Sequence, residues 1–379
     1  MSSIRYHQVV PSNNKVEFNP EDLVDFELDS FSRDLVRNSI EISGTVETFK
    51  TVAGTQSRVE KDDDGFLFLD KNAGAHSFIE NISCSTVNQG NLESIGFSYP
   101  RFVSMLNVLQ KRNQDKNNIE DALEWIYPDK SLTDNYLRQG ILSDGTPAND
   151  VNYDQTFNFK PHIVFNRTDQ NVPFSKTGKM RISLNLSSVE KMVEDKLTVA
   201  NIESITYKIK NLKLFFRSVP EDTSIKNVLA QKFTALKTTI SSSLANMSLN
   251  VPSQAVTGVS MSFQNVANEG DSTKNNNQLE KINISGLQFF FNSANSYLNY
   301  KLDNLSEILI RGLKSLSPSN DEALYQINNK DLGNNENFII GSDMNGIIDL
   351  SQNSFDVQIE SDLQVNTNVY FMFHSLMSM

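Results

Sequence analysis

One cysteine, Cys84, occurs in 379 residues. No intrachain disulfide can form, so packing alone must hold the fold, and a reducing compartment is tolerated. Tryptophan is equally scarce, with Trp125 alone, which disfavours a sugar-binding surface built from clustered indoles. The four histidines, His7, His76, His162 and His374, are scattered without metal-ligand spacing, and a lone strand histidine is expected to pack rather than to ligate. No HExxH, GxSxG, Walker loop or GxGxxG occurs. Basic charge is in short supply: 34 Lys and Arg stand against 46 Asp and Glu, for a net charge of −12. Neutralising the phosphates of a nucleic acid needs the opposite balance. No apolar run approaches the ~20 residues of a membrane-crossing helix. The opening stretch MSSIRYHQVVPSNNKVEF has neither the apolar core of a leader peptide nor a basic arm.

Phenylalanine is plentiful, with 24 residues, which suggests many sheet-facing rings, and apolar residues recur in alternating runs. In TGKMRISLNLSS (177–188), Met180, Ile182, Leu184 and Leu186 alternate with Arg181, Ser183 and Asn185, which predicts a strand with one apolar face. ESITYKIKNLKLFFRSV (203–219) follows. There Ile205, Tyr207 and Ile209 hand over to Leu212, Leu214 and Phe216 with a one-residue phase shift, the signature of a bulge. The pattern returns in FIIGSDMNGIIDLSQNSFDVQIES (338–361), through Phe355, Val357 and Ile359, and leads into NTNVYFMFHSL (366–376). A Gly-marked turn is expected to open each pair.

NSIEISGTVETF (38–49) reads as a strand with Ile40, Ile42 and Val46 on one face and Gly44 at a bulge or close backbone approach. HSFIENISCSTV (76–87) and NLESIGFSYP (91–100) read as further strands. Pro100 then opens a helix carrying Phe102, Met105, Leu106 and Leu109 at helical spacing. Leu302, Leu305, Leu309, Leu313 and Leu316 predict an amphipathic helix stopped by Pro318. Residues 21–37 permit a short helix, and 226–243 form a helical or irregular connector.

Chemistry is harder to place. Glu60, Asp62, Asp64 and Gly65 have roughly the offsets of a calcium loop, but Lys71 stands where a bidentate Glu is required, so an acidic turn is expected. Cys84, inside an alternating strand, reads as a small buried hydrophobe. Lys208, Lys210, Lys213 and Arg217 are the densest basic stretch and are expected on the solvated or subunit-facing edge of a strand. The Asn-x-Ser/Thr triplets at Asn81, Asn166, Asn185, Asn246, Asn283 and Asn304 are expected by chance in a chain so rich in Asn and Ser. Paired carboxylates for glycoside chemistry cannot be singled out among so many acids. No catalytic residue, cofactor site or metal ligand is therefore assigned. The expected fold is all-β, with two tandem β-sandwiches and short inserted helices. Residues 1–37 are read as an N-terminal arm with a short helix, 38–218 as the first sandwich with a long insertion at about 111–160, and 219–379 as the second.

Four segments, NSIEISGTVETF, HSFIENISCSTVNQGNLESIGFSYPRFVSML, TGKMRISLNLSSVEKM with ITYKIKNLKLFFRSVPED, and GIIDLSQNSFDVQIESDLQVNTNVYFMFHSL, cover most of the chain. In that order their layout resembles the double jelly-roll major capsid proteins of tailless, membrane-containing bacteriophages and the adenovirus hexon. The resemblance implies an eight-stranded jelly roll in each half and a homotrimer of pseudo-hexagonal outline that tiles an icosahedral virion, assembled in the host cytoplasm. It implies neighbouring capsomers, minor capsid or vertex proteins and an internal lipid membrane as partners, and no sequence-specific nucleic acid. Loops 111–160 and 264–280 would form outward towers, and residues 1–37 would lie at the base. Rival readings remain a minor vertex or spike protein, a carbohydrate- or receptor-binding sandwich, and an enzyme on a sandwich scaffold.

Overall fold

A computed structural model describes residues 3–59, 67–110, 124–126, 155–195, 197, 201–225, 227–291, 295–296, 300–315, 337–363 and 365–379. The first half runs β1 (Arg5–Val9), β2 (Glu17–Phe18), β3 (Leu23–Leu28), β4 (Arg33–Leu35), β5 (Glu41–Val52), β6 (Thr55–Arg58), β7 (Leu67–Phe68), β8 (Ile79–Thr86), β9 (Gly90–Ile95) and helix α1 (Tyr99–Gln110). It continues with β10 (Gln155–Phe159), β11 (Val172–Pro173), α2 (Phe174–Thr177), β12 (Met180–Leu186), α3 (Val189–Met192), β13 (Glu194–Asp195) and β14 (Ile202–Pro220). The second half is β15 (Leu229–Ile240), β16 (Leu244–Leu249), β17 (Val256–Asn265), β18 (Ile284–Phe291), β19 (Asn295–Ser296), α4 (Leu305–Lys314), β20 (Ile340–Ile348), β21 (Phe355–Ser361) and β22 (Thr367–Ser378).

Pairing reveals the same plan twice. In the second half one sheet is ordered β15-β22-β17-β20 and the other β16-β21-β18-β19. In the first half β1-β14-β5-β10 pair in one sheet and β3-β12-β8-β9 in the other. Ranked by position among its eight principal strands, each half puts its first strand beside its last, then its third, then its sixth. The second, seventh, fourth and fifth make the facing sheet. That is jelly-roll order. Helices α1 and α4 follow the fifth strand of their respective halves, so they are topological equivalents.

The alternating runs explain the faces. β12 buries Met180, Ile182, Leu184 and Leu186 and turns Arg181 to solvent, pairing with β3 on one side and β8 on the other. The phase shift in β14 is a register break between Lys210 and Lys213. Asn211 sits there at φ 53°, a left-handed conformation that Asn tolerates better than most residues. Gly44 pairs with Phe157, and a methyl group in its place would lie 2.8 Å from the end of the Phe157 ring.

Several expectations are corrected. Residues 21–37 hold no helix: β3 buries Val24, Phe26 and Leu28 in period two, and β4 follows. Acids between apolar residues suited an amphipathic helix on paper, but the alternation belongs to a strand. The first 37 residues are therefore no detached arm, since β1 and β3 are the first and second strands of the jelly roll. The connector at 226–243 is mostly β15, paired along its whole length with β22. Gly341 and Gly346 lie in β20 instead of marking a turn. The Leu-rich helix buries Ile308 and Gly312, leaves Leu305 exposed, and begins after Leu302, which bridges back to Leu287. Pro318 and most of the 111–160 insertion lie outside the described residues.

Two apolar cores result among the described residues. One joins the first half's sheets, and it extends through Val228, Ala230, Phe233, Tyr370 and Met372 onto the second half. The other fills the second sandwich around Val259, Met261, Phe263, Phe355, Phe371 and Phe373. Consequently β22 is buried on both faces over most of its length.

Candidate functional site at the junction of the sandwiches

The strongest concentration of buried polar side chains lies where the halves meet. Ser98, at φ 48°, turns the chain from β9 into α1, and the N–H groups of Arg101 and Phe102 donate back to its carbonyl. This turn aims Arg101 across the junction. Fully buried, it donates from Nη1 to the carbonyls of Gln278 (2.8 Å) and Phe263 (3.3 Å), and from Nη2 to that of Asn276 (2.5 Å). Its guanidinium lies 4.5 Å from the centre of the Tyr370 ring. Burial pulls its pKa down, against Tyr370, Glu280 and Asp70, which favour the charge. A planar fork of donors suits three converging carbonyls; a lysine would not.

A second arginine repeats the device. Arg167 pairs through Nη2 with Glu93, donates from Nε to the carbonyl of Gln231 (3.1 Å), and lies 3.7 Å from the centre of the Phe233 ring. Glu93, buried, also accepts the N–H of Phe233 (2.8 Å) and of Val164 (2.7 Å). One carboxylate thus ties β9, the turn after β10, and β15. Its negative charge is compensated at every oxygen, which is the condition for keeping a buried ion pair.

Asparagines and aspartates complete the seam. Asp70 accepts the N–H groups of Asn72 and Ala73 and the Ser104 hydroxyl, and Asn275 reaches it from the second half (2.8 Å). Asn72 donates to Asn337 (2.9 Å), Asn276 to the carbonyl of Glu190 (2.8 Å), and the N–H of Asp195 to that of Ser272 (2.6 Å). The polar loop 264–280, expected as an outward tip, is therefore an internal clasp. Its Asn residues looked like solvent-facing turn formers, yet Asn276, Asn277 and Leu279 are buried. The side chains of the seam are spent on one another and on backbone groups, and so tie the two sandwiches together.

The other candidates fall elsewhere. Cys84 is fully buried in β8, and burial, then Glu93, raises its pKa well above the usual thiol value. His374 Nε2 is 2.9 Å from Ser260 Oγ, which is 2.6 Å from Ser315 Oγ. The contact has the look of an activated nucleophile, but Ser260 and His374 are wholly buried and Nδ1 meets no partner among the described residues. Burial lowers the His374 pKa to about 3. His7 stacks on Phe216 at 4.4 Å, and His76 and His162 lie 5.5 Å apart beside Tyr99. Residues 60–66 of the acidic turn lie outside the described residues. Among the described residues no cluster of His, Cys, Asp or Glu is spaced to hold a metal, and no helix is long and apolar enough to cross a membrane. Lys208, Lys210, Lys213 and Arg217 do not line a strand edge. β14 is interior, with β1 and β2 on one side and β5 on the other, and the four project from its open face. Lys210 pairs there with Glu47 (2.8 Å) and Glu17 (3.5 Å). An open cleft of about 600 Å³ near the junction is lined by Arg37, Asp169, Asn171 and Asp222. Its acids are engaged locally, Asp169 by the N–H of Leu229 and Asp222 by Ser224.

No protein-family model matches the sequence, and no curated protein does. Solved structures do match. The Faustovirus major capsid protein superposes with a TM-score of 0.67 at 8% identity, covering 100% of this chain and 90% of that one. The PBCV-1 virus capsid gives 0.64 at 9% identity, covering 100% and 94%, and the Sputnik virophage structure 0.56 at 11%, covering 100% and 88%. The fold is a double jelly roll, the fold of viral major capsid proteins. Identity this low carries the architecture and no more. The buried seam joins the two jelly rolls through polar pairs that cross between them.

Proposed function

We propose that this chain is the major capsid protein of an icosahedral virus, and that three copies form a capsomer of pseudo-hexagonal outline. The observation that carries the reading is the exact repetition of strand order in two sandwiches locked side by side. A threefold ring of such blocks presents six similar sandwiches, which is how a trimer fills a lattice position of sixfold shape. The acidic balance of the chain suits a shell that does not condense genome. In this reading the role is assembly, not catalysis. Its partners are other capsomers and vertex proteins, with lipid where a membrane lines the shell. The lone buried thiol suits assembly in the reducing host cytoplasm.

Light scattering on the purified protein tests the reading. A mass near three times the 42.7 kDa chain, with a hexagonal outline by negative-stain microscopy, is the expected result. A monodisperse monomer at all accessible concentrations overturns it. A minor vertex protein would instead be a trace band in gels of the purified particle, where the shell protein dominates.

A further inference from the structure

The duplicated topology shows what is covered in one half and open in the other. In the second half, the outer face of β22 and β17 is buried, where Phe97 and Arg101 of the β9–α1 flank pack on Tyr370, and Arg167, from the turn after β10, covers Phe233 of β15. Among the described residues, the equivalent face of the first half, on β1-β14-β5, has no such cover. β14 alternates buried and half-exposed side chains along its length, whereas β22 is buried on both faces. The equivalent flanks differ in the complementary sense. Every described side chain of α1 is buried, but α4 buries only Ile308 and Gly312 and leaves Leu305 and Ile310 at 38% and 51% exposure. Among the described residues, one sheet face and one helix flank are thus left over. They are the counterparts of the two surfaces that already meet inside the chain.

We propose, resting on the trimeric reading above, that the α4 flank of one copy docks on the outer β1-β14 face of the next, repeating between chains the junction made within each. The occupant of each open surface is therefore a second copy of this chain. Both surfaces have the character of an interface. On the sheet side, Tyr6 (79% exposed) stands on the outward side of β1 and Val10 (58%) lies just past its end. Tyr6 pairs with Arg217, and Gln8 with half-buried Phe215. On the helix side, Tyr300 and Ile310 are the exposed apolar residues beside Glu307. Charge is complementary at the start of α4, whose last turn carries instead Lys314 and Arg311, the latter paired with Asp343. Lys213 and Arg217 have no carboxylate partner among the described residues, and α4 brings Asp303 and Glu307 in and just before its first turn. Where α1 carries Arg101 in its first turn, toward the neutral carbonyls of the second half, α4 carries an acid toward a basic sheet. The contact is head-to-tail, so it closes into a ring only if each step turns by a third of a circle.

The test uses full-length Ile310→Glu and Tyr6→Glu, each blocking one surface, with Val266→Glu as a control at an exposed apolar residue away from both. By sedimentation or light scattering, each surface variant is expected to need at least about tenfold more protein to assemble than wild type, the effect of losing one interface anchor. The control is expected to match wild type. Mixing the two variants is decisive. Each retains the surface the other lacks, so the mixture should yield one-to-one dimers and no trimers. Unchanged circular dichroism and thermal midpoints establish that both variants are folded. If one misfolds, hydrogen exchange on wild type replaces it, comparing assembled protein with dilute monomer. Protection of residues 4–10 and 305–314 is then expected. A trimeric wild type whose variants still trimerise, or whose mixture gives no dimer, or whose exchange leaves those segments unprotected, overturns the assignment. A monomeric wild type instead refutes the trimeric reading itself.

Discussion

Replacing Glu93 with Gln would probe the seam while keeping its shape. The carboxylate accepts from the N–H of Phe233, the N–H of Val164 and the Arg167 guanidinium. A carboxamide offers a single acceptor oxygen, so its NH₂ must face a donor, and at least one buried N–H loses its partner. That costs about 1–3 kcal/mol. Arg167 also loses its counterion. Removing one partner of a fully buried pair costs about 3–5 kcal/mol, but the Arg167 side chain retains 11% exposure, and water there softens the loss. About 2–4 kcal/mol is expected in total. Urea denaturation measures it with two probes. The fluorescence of Trp125, packed edge-on against Phe78 and Phe157 in the first core, reports the first sandwich, and far-ultraviolet circular dichroism reports both. For wild type the two curves should coincide, because the seam couples the sandwiches. For Glu93→Gln the midpoint should fall and the curves should separate. Arg167→Met should then cost less in the Glu93→Gln background than in wild type, since the pair is already broken and only the carbonyls of Gln231 and His162 lose a donor. A Glu93→Gln protein within about 0.5 kcal/mol of wild type, with coincident curves, would refute the idea that this carboxylate holds the halves together.

Acid should weaken the second sandwich through His374. Its folded pKa, lowered to about 3 by burial, lies below the unfolded value of about 6.5, so the unfolded chain binds the proton first. The stabilisation is complete above pH 6.5 and is lost as pH falls toward 3, with about 2 kcal/mol gone by pH 5. Urea midpoints at pH 7 and 5 should show this slope, and His374→Gln should flatten it. Gly258→Ala would place a methyl group 2.0 Å from the carbonyl oxygen of Ser315. It should lift the end of α4 from β17 at a cost of about 1–3 kcal/mol, seen as faster hydrogen exchange in α4 with β12 unchanged. Cys84, wholly buried, should resist a thiol reagent such as Ellman's in the native protein and react at once in urea. Rapid native labelling would contradict its place in the first core.

Legibility followed the burial of the strand concerned. β12 and β21 bury one face and wet the other, so period two showed in the letters, as did the helix after Pro100 and the bulge at Asn211. β1 and β15 were missed for the opposite reason. RYHQV and LAQKFTALKTTI carry polar residues on both faces because each is the outermost strand of its sheet, and neither shows clean alternation. The seam was illegible for another cause. Arg101 and Arg167 look like ordinary surface arginines, and the Asn run 275–277 looks like a solvated loop. Nothing local marks the carbonyls that receive them, which come from residues far away in the chain.

Composition and alternation by themselves established an all-β chain in two similar halves, without disulfides, because the inward and outward faces of a strand write themselves into neighbouring residues. Which strand lies beside which, that β1 and β3 belong to the first jelly roll, and that an asparagine loop clasps one sandwich to the other were decided only in three dimensions. The placing of β1 and β3 and the clasp rest on partners up to 265 residues apart, and a pairing across such distances leaves no periodic trace.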